Sequence, residues 1–209
     1  KESQVIFDKN VIEFVTVAAE FCAFLERAES MKRSTFVDTT LKILPLLYLK
    51  ASMLPKCEMI GDESPETYVT EEIYEVLRIN LASILAEKDD YLEVFLPDMA
   101  YSDEPIKKNI SEDLADIYQD IKDFIFVFQL GLNETMNDSL AICQENFGLL
   151  WGQKLVNTMR ALHDVKYSPK ARGEDEEEEE YEPENNEDCH CEDDDCHCHD
   201  HGCHCHDDE

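Results

Sequence analysis

Apolar residues recur every three to four positions along most of the chain up to about residue 165, which is the spacing of amphipathic helices. This spacing predicts five helices, over about 8–28, 34–53, 70–85, 111–128 and 135–165. No run alternates apolar and polar residues over the length that a half-buried strand requires. We therefore predict an all-α fold, an antiparallel bundle of about five helices with a hydrophobic core of its own.

Capping and turn residues indicate where several of these helices begin and end. Thr70 and Ser111 each precede two acidic residues, and a hydroxyl cap followed by acids favours the positively polarised start of a helix. Two prolines and a glycine between residues 54 and 69 predict a loop there. The segment 89–95 is predicted to add a short helical piece before the fourth long helix.

The composition changes abruptly after about residue 167. The formal net charge is −31, and residues 173–209 hold 19 of the 49 acidic residues and none of the 18 basic ones. Because like charges repel, we expect a domain of residues 1–167, a disordered acidic spacer over 168–188 and a separate tail over 189–209. Such a chain should repel nucleic acid and anionic membranes, so cations are its expected partners. No apolar run is long enough for a membrane span, and a cytoplasmic location is expected.

The tail contains a repeated unit with the chemistry of a metal ligand. Cys-His-Cys occurs three times with a period of seven, and further histidines follow the second and third units. Thiolate sulfur and imidazole nitrogen are the donors preferred by Zn²⁺ and Cu(I), and imidazole also suits Ni²⁺. Six cysteines would serve roughly two or three ions with four donors each. The predicted ligands are Cys189, His190, Cys191, Cys196, His197, Cys198, His199, His201, Cys203, His204, Cys205 and His206.

The Cys-x-Cys spacing of the tail resembles that of metallothioneins and of the His/Cys-rich tails of some bacterial metallochaperones. It differs from a zinc finger, in which ligand pairs flank a folding segment. Two alternatives to metal binding stay open for this segment. A low-complexity extension without a selected role would have the same composition. An extension that forms disulfides on export is the second alternative.

Within the predicted domain, charged residues of the last two long helices form the most suggestive group. Asp113, Asp116, Asp120 and Asp123 recur every three to four residues, so they share one helix face. Arg160 and His163 are neighbours on the last helix, which also carries Trp151. If the two helices pack side by side, Asp116 and Asp120 are predicted to meet Arg160 and His163, as a metal site or an anion pocket. The competing interpretation is a solvated acidic face with one ion pair between helices.

Two further function classes remain as alternatives to a metal-binding tail. Glu72 and Glu75 of the third helix, together with Asp116 and Asp120, resemble the Mg²⁺-binding carboxylates of all-helical nucleotide pyrophosphatases, and Mg²⁺ prefers carboxylate oxygens. This resemblance implies a Mg²⁺-dependent nucleotide hydrolase. The other alternative is an interaction module in which a helix face docks an unknown protein partner.

The stretch Ser111–Lys122, SEDLADIYQDIK, is followed by Phe147, the pair Trp151-Gly152 and the closing Arg-Ala-Leu-His of residues 160–163. This pattern resembles an uncharacterised bacterial family, domain-of-unknown-function family 5063, over most of residues 8–167. The resemblance implies a cytoplasmic all-helical domain and supplies no activity. Some members of that family carry His beside the Trp-Gly pair, where this chain has Leu150 and Lys154. The Cys/His tail lies outside the family pattern.

Overall fold

The computed structural model describes residues 3–93 and 105–168, which form a helical bundle with one small sheet. The predicted all-helical architecture is therefore confirmed. Two strands, β1 (Asp90–Glu93) and β2 (Ile106–Asn109), precede the fourth helix. The helices are α1 (Lys9–Glu26), α2 (Arg33–Ser52), α3 (Glu71–Leu85), α4 (Ile110–Gln129), α5 (Asn133–Asn146) and α6 (Gly152–Tyr167).

Helix α4 is the centre of the bundle and packs against α1, α3, α5 and α6. Its apolar residues are buried on several sides, because neighbouring helices surround it. Phe124 of α4 stacks on Phe14 of α1, with ring centroids 5.6 Å apart. Helix α2 packs against α1 and α6 and completes the core. The aspartates of α4 therefore lie against other elements of the bundle rather than fully in solvent.

The segment predicted as a short helix over 89–95 is instead a strand as far as Glu93, and Val94 and Phe95 lie outside the described residues. Strand β1 pairs antiparallel with β2, with Asp90 opposite Asn109. The prediction of no sheet was therefore wrong in this detail. Two strands of four residues are too short to show a clear alternation in the sequence. The sheet is held at the start of α4, where the amide of Ile110 donates to the carbonyl oxygen of Asp89 at 2.8 Å.

The predicted fifth helix is divided by a π-helical turn, Phe147–Trp151, between α5 and α6. The Gly152 amide closes this turn by donating to the carbonyl oxygen of Phe147. A Cβ on Gly152 would lie 2.4 Å from that oxygen, closer than side-chain carbons pack. The Trp151 indole is fully buried and donates to the carbonyl oxygen of Cys143 at 3.1 Å. The Trp-Gly pair therefore builds the turn.

The sequence predicted the N-cap of α3 correctly, but not that of α4. Thr70 caps α3 as predicted, and its hydroxyl oxygen accepts from the Ile73 amide at 3.2 Å. Ser111 is not the N-cap of α4, which begins one residue earlier. Its amide and hydroxyl both donate to the Asp89 carboxylate, at 2.7 and 2.6 Å. An acid twenty-two residues away thus satisfies the first turn of α4.

The loop between α2 and α3 is anchored to α5 by Asp138, a buried aspartate. The Asp138 carboxylate accepts from the amides of Ile60 and Gly61 at 2.7 and 2.8 Å. A Cβ on Gly61 would lie 2.6 Å from a carboxylate oxygen of Asp138, so a larger residue there would require this carboxylate to shift. Asn137 adds a bond from its side-chain amide to the carbonyl oxygen of Glu58 at 2.8 Å. The loop is therefore fixed by hydrogen bonds from α5.

No helix within residues 3–93 and 105–168 is long and apolar enough to cross a membrane. The predicted spacer, from residue 169 onward, and the whole Cys/His tail lie outside the described residues. The predicted domain boundaries and the predicted disorder of the spacer stay predictions.

Candidate functional site

A cavity of about 490 Å³ lies beside α4, between α5, the start of α6 and the loop that precedes α3. Part of its lining is an apolar wall that includes Phe124, Val127, Ile142 and Leu150. The charged and amide-bearing lining residues are Glu66, Asp116, Gln119, Asp120, Asp123, Asn146 and Lys154. The cavity therefore joins a hydrocarbon surface to a group of carboxylates.

Asp116 is held by two donors. The Lys154 ammonium forms an ion pair with one of its carboxylate oxygens, and the Tyr74 hydroxyl donates to the other at 2.7 Å. Burial lowers the pKa of Lys154, but the hydrogen bond and charge of Asp116 outweigh burial and raise it overall. Lys154 therefore stays protonated and is committed to Asp116.

Asp120, one helical turn further along α4, has a weaker environment. Its carboxylate accepts from the side-chain amide of Asn146 at 2.7 Å, and no other hydrogen-bond donor to it occurs among the described residues. Burial raises the pKa of Asp120, and the Asn146 hydrogen bond only partly opposes this. Asp120 is thus a partly buried carboxylate with no cation bound directly to it in the described parts of the chain.

Asp123 has a structural task at the edge of the cavity. One of its oxygens accepts from the amides of Tyr68 and Val69, both at 2.7 Å. These bonds hold the end of the loop just before Thr70 starts α3. The raised pKa of Asp123 has burial as its main cause, and the two amides counteract it. The loop that borders the cavity is therefore fixed by α4 here and by Asp138 of α5 further back.

Asp113 is buried away from the cavity, against β1. The Tyr91 hydroxyl donates to its carboxylate at 2.5 Å. Burial raises the pKa of Asp113 to about 6, although the Tyr91 bond and two lysines act in the opposite direction. Strand β1 also contacts α6, because the Asn157 side-chain amide donates to the buried Glu93 at 2.9 Å. The small sheet is thus attached to the bundle by polar contacts.

The predicted meeting of Asp116 and Asp120 with Arg160 and His163 is not formed. Helices α4 and α6 do pack together, but the α6 residue that reaches Asp116 is Lys154. Arg160 and His163 lie further along α6, are exposed, and line two other surface depressions. The alternative interpretation holds in part. One ion pair does join the two helices, between Asp116 and Lys154, but the acidic face is not fully solvated, because Asp113 is buried and the other aspartates are partly buried.

The carboxylates proposed for a Mg²⁺ site are not assembled. Glu72 is exposed, and Glu75 forms an ion pair with Arg78, with 2.8 Å between the carboxylate oxygen and the guanidinium nitrogen. Within residues 3–93 and 105–168, no three His, Cys, Asp or Glu side chains form a group that would hold a metal ion. The twelve predicted ligands of the tail, from Cys189 to His206, lie outside the described residues.

Sequence reasoning missed Tyr74, Tyr91 and Asn146, which donate to Asp116, Asp113 and Asp120 respectively. Helical periodicity places a residue on a face but does not identify its long-range partner. Tyr74 and Tyr91 precede their aspartates by 42 and 22 residues, so no local pattern connects them. The sequence did contain one indication of these partners. Several aspartates stand on a helix rich in apolar residues, and buried carboxylates require hydrogen-bond donors from other elements.

Comparison with known proteins assigns the chain to a family. A family model described as Domain of unknown function (DUF5063) matches residues 5–168, so the chain belongs to this family and the predicted resemblance is confirmed. The crystal structure of protein BF1032 from Bacteroides fragilis is similar, with 93% sequence identity and a TM-score of 0.74. That match covers 81% of this chain and 99% of the other. No match was found among the curated proteins.

Most of the sequence pattern shared with the family has a structural explanation here. In the stretch Ser111–Lys122, Tyr118 and Lys122 both donate to Glu26 of α1, at 2.8 and 2.5 Å. Asp113 and Asp116 hold β1 and α3 through tyrosines, while Trp151 and its glycine build the π-helical turn. Asp120 of this stretch lines the cavity, and its one hydrogen bond among the described residues comes from Asn146 of α5.

Proposed function

We propose that this protein is a helical domain whose C-terminal tail binds soft transition-metal ions, namely Zn²⁺, Cu(I) or Ni²⁺. The observation that carries the proposal is the threefold Cys-His-Cys repeat of residues 189–205, with a period of seven. One unit supplies two thiolates, and a second unit or a nearby histidine completes a shell of four donors. The tail sequesters metal through roughly two or three such shells.

The acidic residues between the repeats support the same function. Glu192 to Asp195 and Asp200 raise the local concentration of cations and offset the charge of the bound ion. Cysteine must lose its proton to coordinate a metal, so each ion releases protons and its affinity rises with pH. We place the protein in the cytoplasm, where thiols stay reduced and able to bind metal.

The three cysteines of the helical domain are poor competitors for the metal. Burial raises the pKa of Cys22 and Cys143 well above the ordinary value, and it also raises the pKa of the half-buried Cys57. All three therefore stay as neutral thiols near neutral pH, and a thiol must ionise before it binds a metal. Substituting the tail cysteines should therefore remove metal binding, whereas substituting a cysteine of the helical domain should not.

The test compares the full-length protein with a full-length variant in which the six tail cysteines are replaced by serine. Zn²⁺ and Cu(I) are titrated under reducing conditions, with isothermal calorimetry in two buffers of different ionisation enthalpy to count released protons. We expect the six-cysteine variant to lose tight binding and proton release, while the matched control Cys57→Ser retains both. Equal binding by the wild type and the six-cysteine variant would contradict the proposal.

A further inference from the structure

We propose that the cavity beside α4 is a binding site for a small organic cation, a primary ammonium with an apolar body, which pairs with Asp120. This site is independent of the metal-binding tail, because it consists entirely of residues of the helical domain. Four features support the inference: the charge of the lining, the unequal hydrogen bonding of its aspartates, its apolar wall, and the contacts that fix its walls.

The charge of the lining selects for a cation. Four carboxylates border the cavity, from Glu66, Asp116, Asp120 and Asp123, and Lys154 is the one cationic side chain among its described lining residues. The excess of negative charge attracts cations and repels anions such as phosphates or carboxylic acids. An anion pocket, which the sequence left open for these aspartates, does not fit this lining.

The distribution of hydrogen bonds identifies Asp120 as the contact. Lys154 neutralises Asp116, and two backbone amides occupy Asp123. Asp120 has only the neutral amide of Asn146 as a donor among the described residues, although a carboxylate offers about four acceptor sites. A partly buried carboxylate of this kind gains from a charged donor, because charge-assisted hydrogen bonds are shorter and stronger than neutral ones.

The apolar wall defines the rest of the ligand. Phe124, Val127, Ile142 and Leu150 line the same cavity as the carboxylates. A volume of about 490 Å³ lies within the range of small-molecule sites. A fully hydrated inorganic ion would leave this wall without a partner, whereas an ammonium on an alkyl or arylalkyl body would contact both the apolar wall and the carboxylates.

The walls are fixed before any ligand arrives. Asp123 and Asp138 hold the loop from two different helices, and the π-helical turn places Leu150 at the cavity. π-Helical turns inside α-helices occur frequently at functional sites. Binding therefore requires little ordering of the protein, which favours affinity for a small ligand.

The test uses benzylamine as the probe and benzyl alcohol as its uncharged counterpart, with full-length protein in calorimetric or ligand-observed NMR titrations. We expect millimolar binding of benzylamine and at least roughly tenfold weaker binding of benzyl alcohol, the difference that one charge-assisted hydrogen bond provides. Asp120→Asn should weaken benzylamine by a similar factor. The matched control Asp164→Asn, an exposed position of α6 outside the cavity, should leave it unchanged.

Three outcomes would overturn the inference. They are no benzylamine binding by the wild type, equal binding by wild type and D120N, or equal binding of the amine and the alcohol. The acidic tail is the same in all variants, so its non-specific attraction for amines cancels when wild type and variants are compared with the same amine. Leu150→Trp is a second variant, at an exposed side chain, that should block the cavity whether or not D120N folds. Displacement of the amine by Mg²⁺ at equal concentration would instead indicate an inorganic cation site.

Discussion

Replacing Gly152 with alanine tests whether the π-helical turn depends on the absence of a side chain. The added Cβ would lie 2.4 Å from the Phe147 carbonyl oxygen and 3.0 Å from two carbons of the Phe147 ring. The same carbonyl accepts the Gly152 amide, so it cannot move away without weakening the bond that closes the turn. The Phe147 ring is itself packed against Trp151, with centroids 4.7 Å apart.

The expected magnitude follows from two opposing effects. Overpacking in a tight interior costs about 1–3 kcal/mol, and loss of the turn's hydrogen bond adds about 1 kcal/mol. Alanine is favoured over glycine inside a helix by about 1 kcal/mol, which offsets part of this. We therefore expect Gly152→Ala to lower the free energy of unfolding by about 2 kcal/mol.

Urea denaturation of the full-length protein, followed by circular dichroism at the helix band, measures this change. Gly148 provides a matched control four residues earlier, because a Cβ there would meet nothing within 4 Å. Gly148→Ala should leave stability unchanged or raise it by up to about 1 kcal/mol. If Gly152→Ala were as stable as Gly148→Ala, the steric account of the Trp-Gly pair would be refuted.

Three further predictions concern buried polar groups. The Thr158 hydroxyl is buried without a partner among the described residues, so Thr158→Val should raise the free energy of unfolding by about 1 kcal/mol. Thr40→Val is the control, because the Thr40 hydroxyl donates to the Phe36 carbonyl oxygen at 2.7 Å. Loss of that bond should lower the free energy of unfolding by a similar amount in the same urea assay. Burial raises the pKa of Asp113 from 3.8 to about 6, so the folded protein holds this proton more tightly than the unfolded chain. Wild-type stability should therefore fall by up to about 3 kcal/mol between about pH 3 and pH 7, and Asp113→Asn should lack this component when the two pH profiles are subtracted. Asp138→Asn replaces the carboxylate that accepts from two amides of the loop between α2 and α3, so this loop should open more often. Trypsin should then cleave at Lys56 faster than in the wild type. An unchanged cleavage rate would contradict the anchoring role of Asp138.

Much of the helical architecture could be predicted from the sequence, because amphipathic periodicity reports directly which face of a helix is buried. The Thr70 cap was also predictable, because a hydroxyl residue directly before acidic residues is a local signal for the start of a helix. The division of the fifth helix was not, since a π-helical turn keeps the apolar spacing nearly helical and its cause is a contact between Phe147 and Gly152. Strand β1 was missed because its four residues depend on β2, which begins at Ile106.

The candidate site shows the same limit. The spacing of the α4 aspartates predicted that they share a face, but not that other elements would cover it. Asp116 was predicted to meet Arg160 and His163 of the last helix. The residue that pairs with it is instead Lys154, which precedes Arg160 by less than two turns of the same helix. Which turn of α6 lies opposite α4 depends on how the helices pack, and a single sequence does not specify that register.

The most direct test of the proposed function is a count of metal ions on the full-length protein. Native mass spectrometry with Zn²⁺ under reducing conditions measures that stoichiometry for the wild type and for the variant with six serines in the tail. We predict about two or three ions on the wild type, by the rule of four donors per ion, and fewer on the variant, which keeps the tail histidines but no tail thiolate. The same number of ions on both proteins would contradict the account.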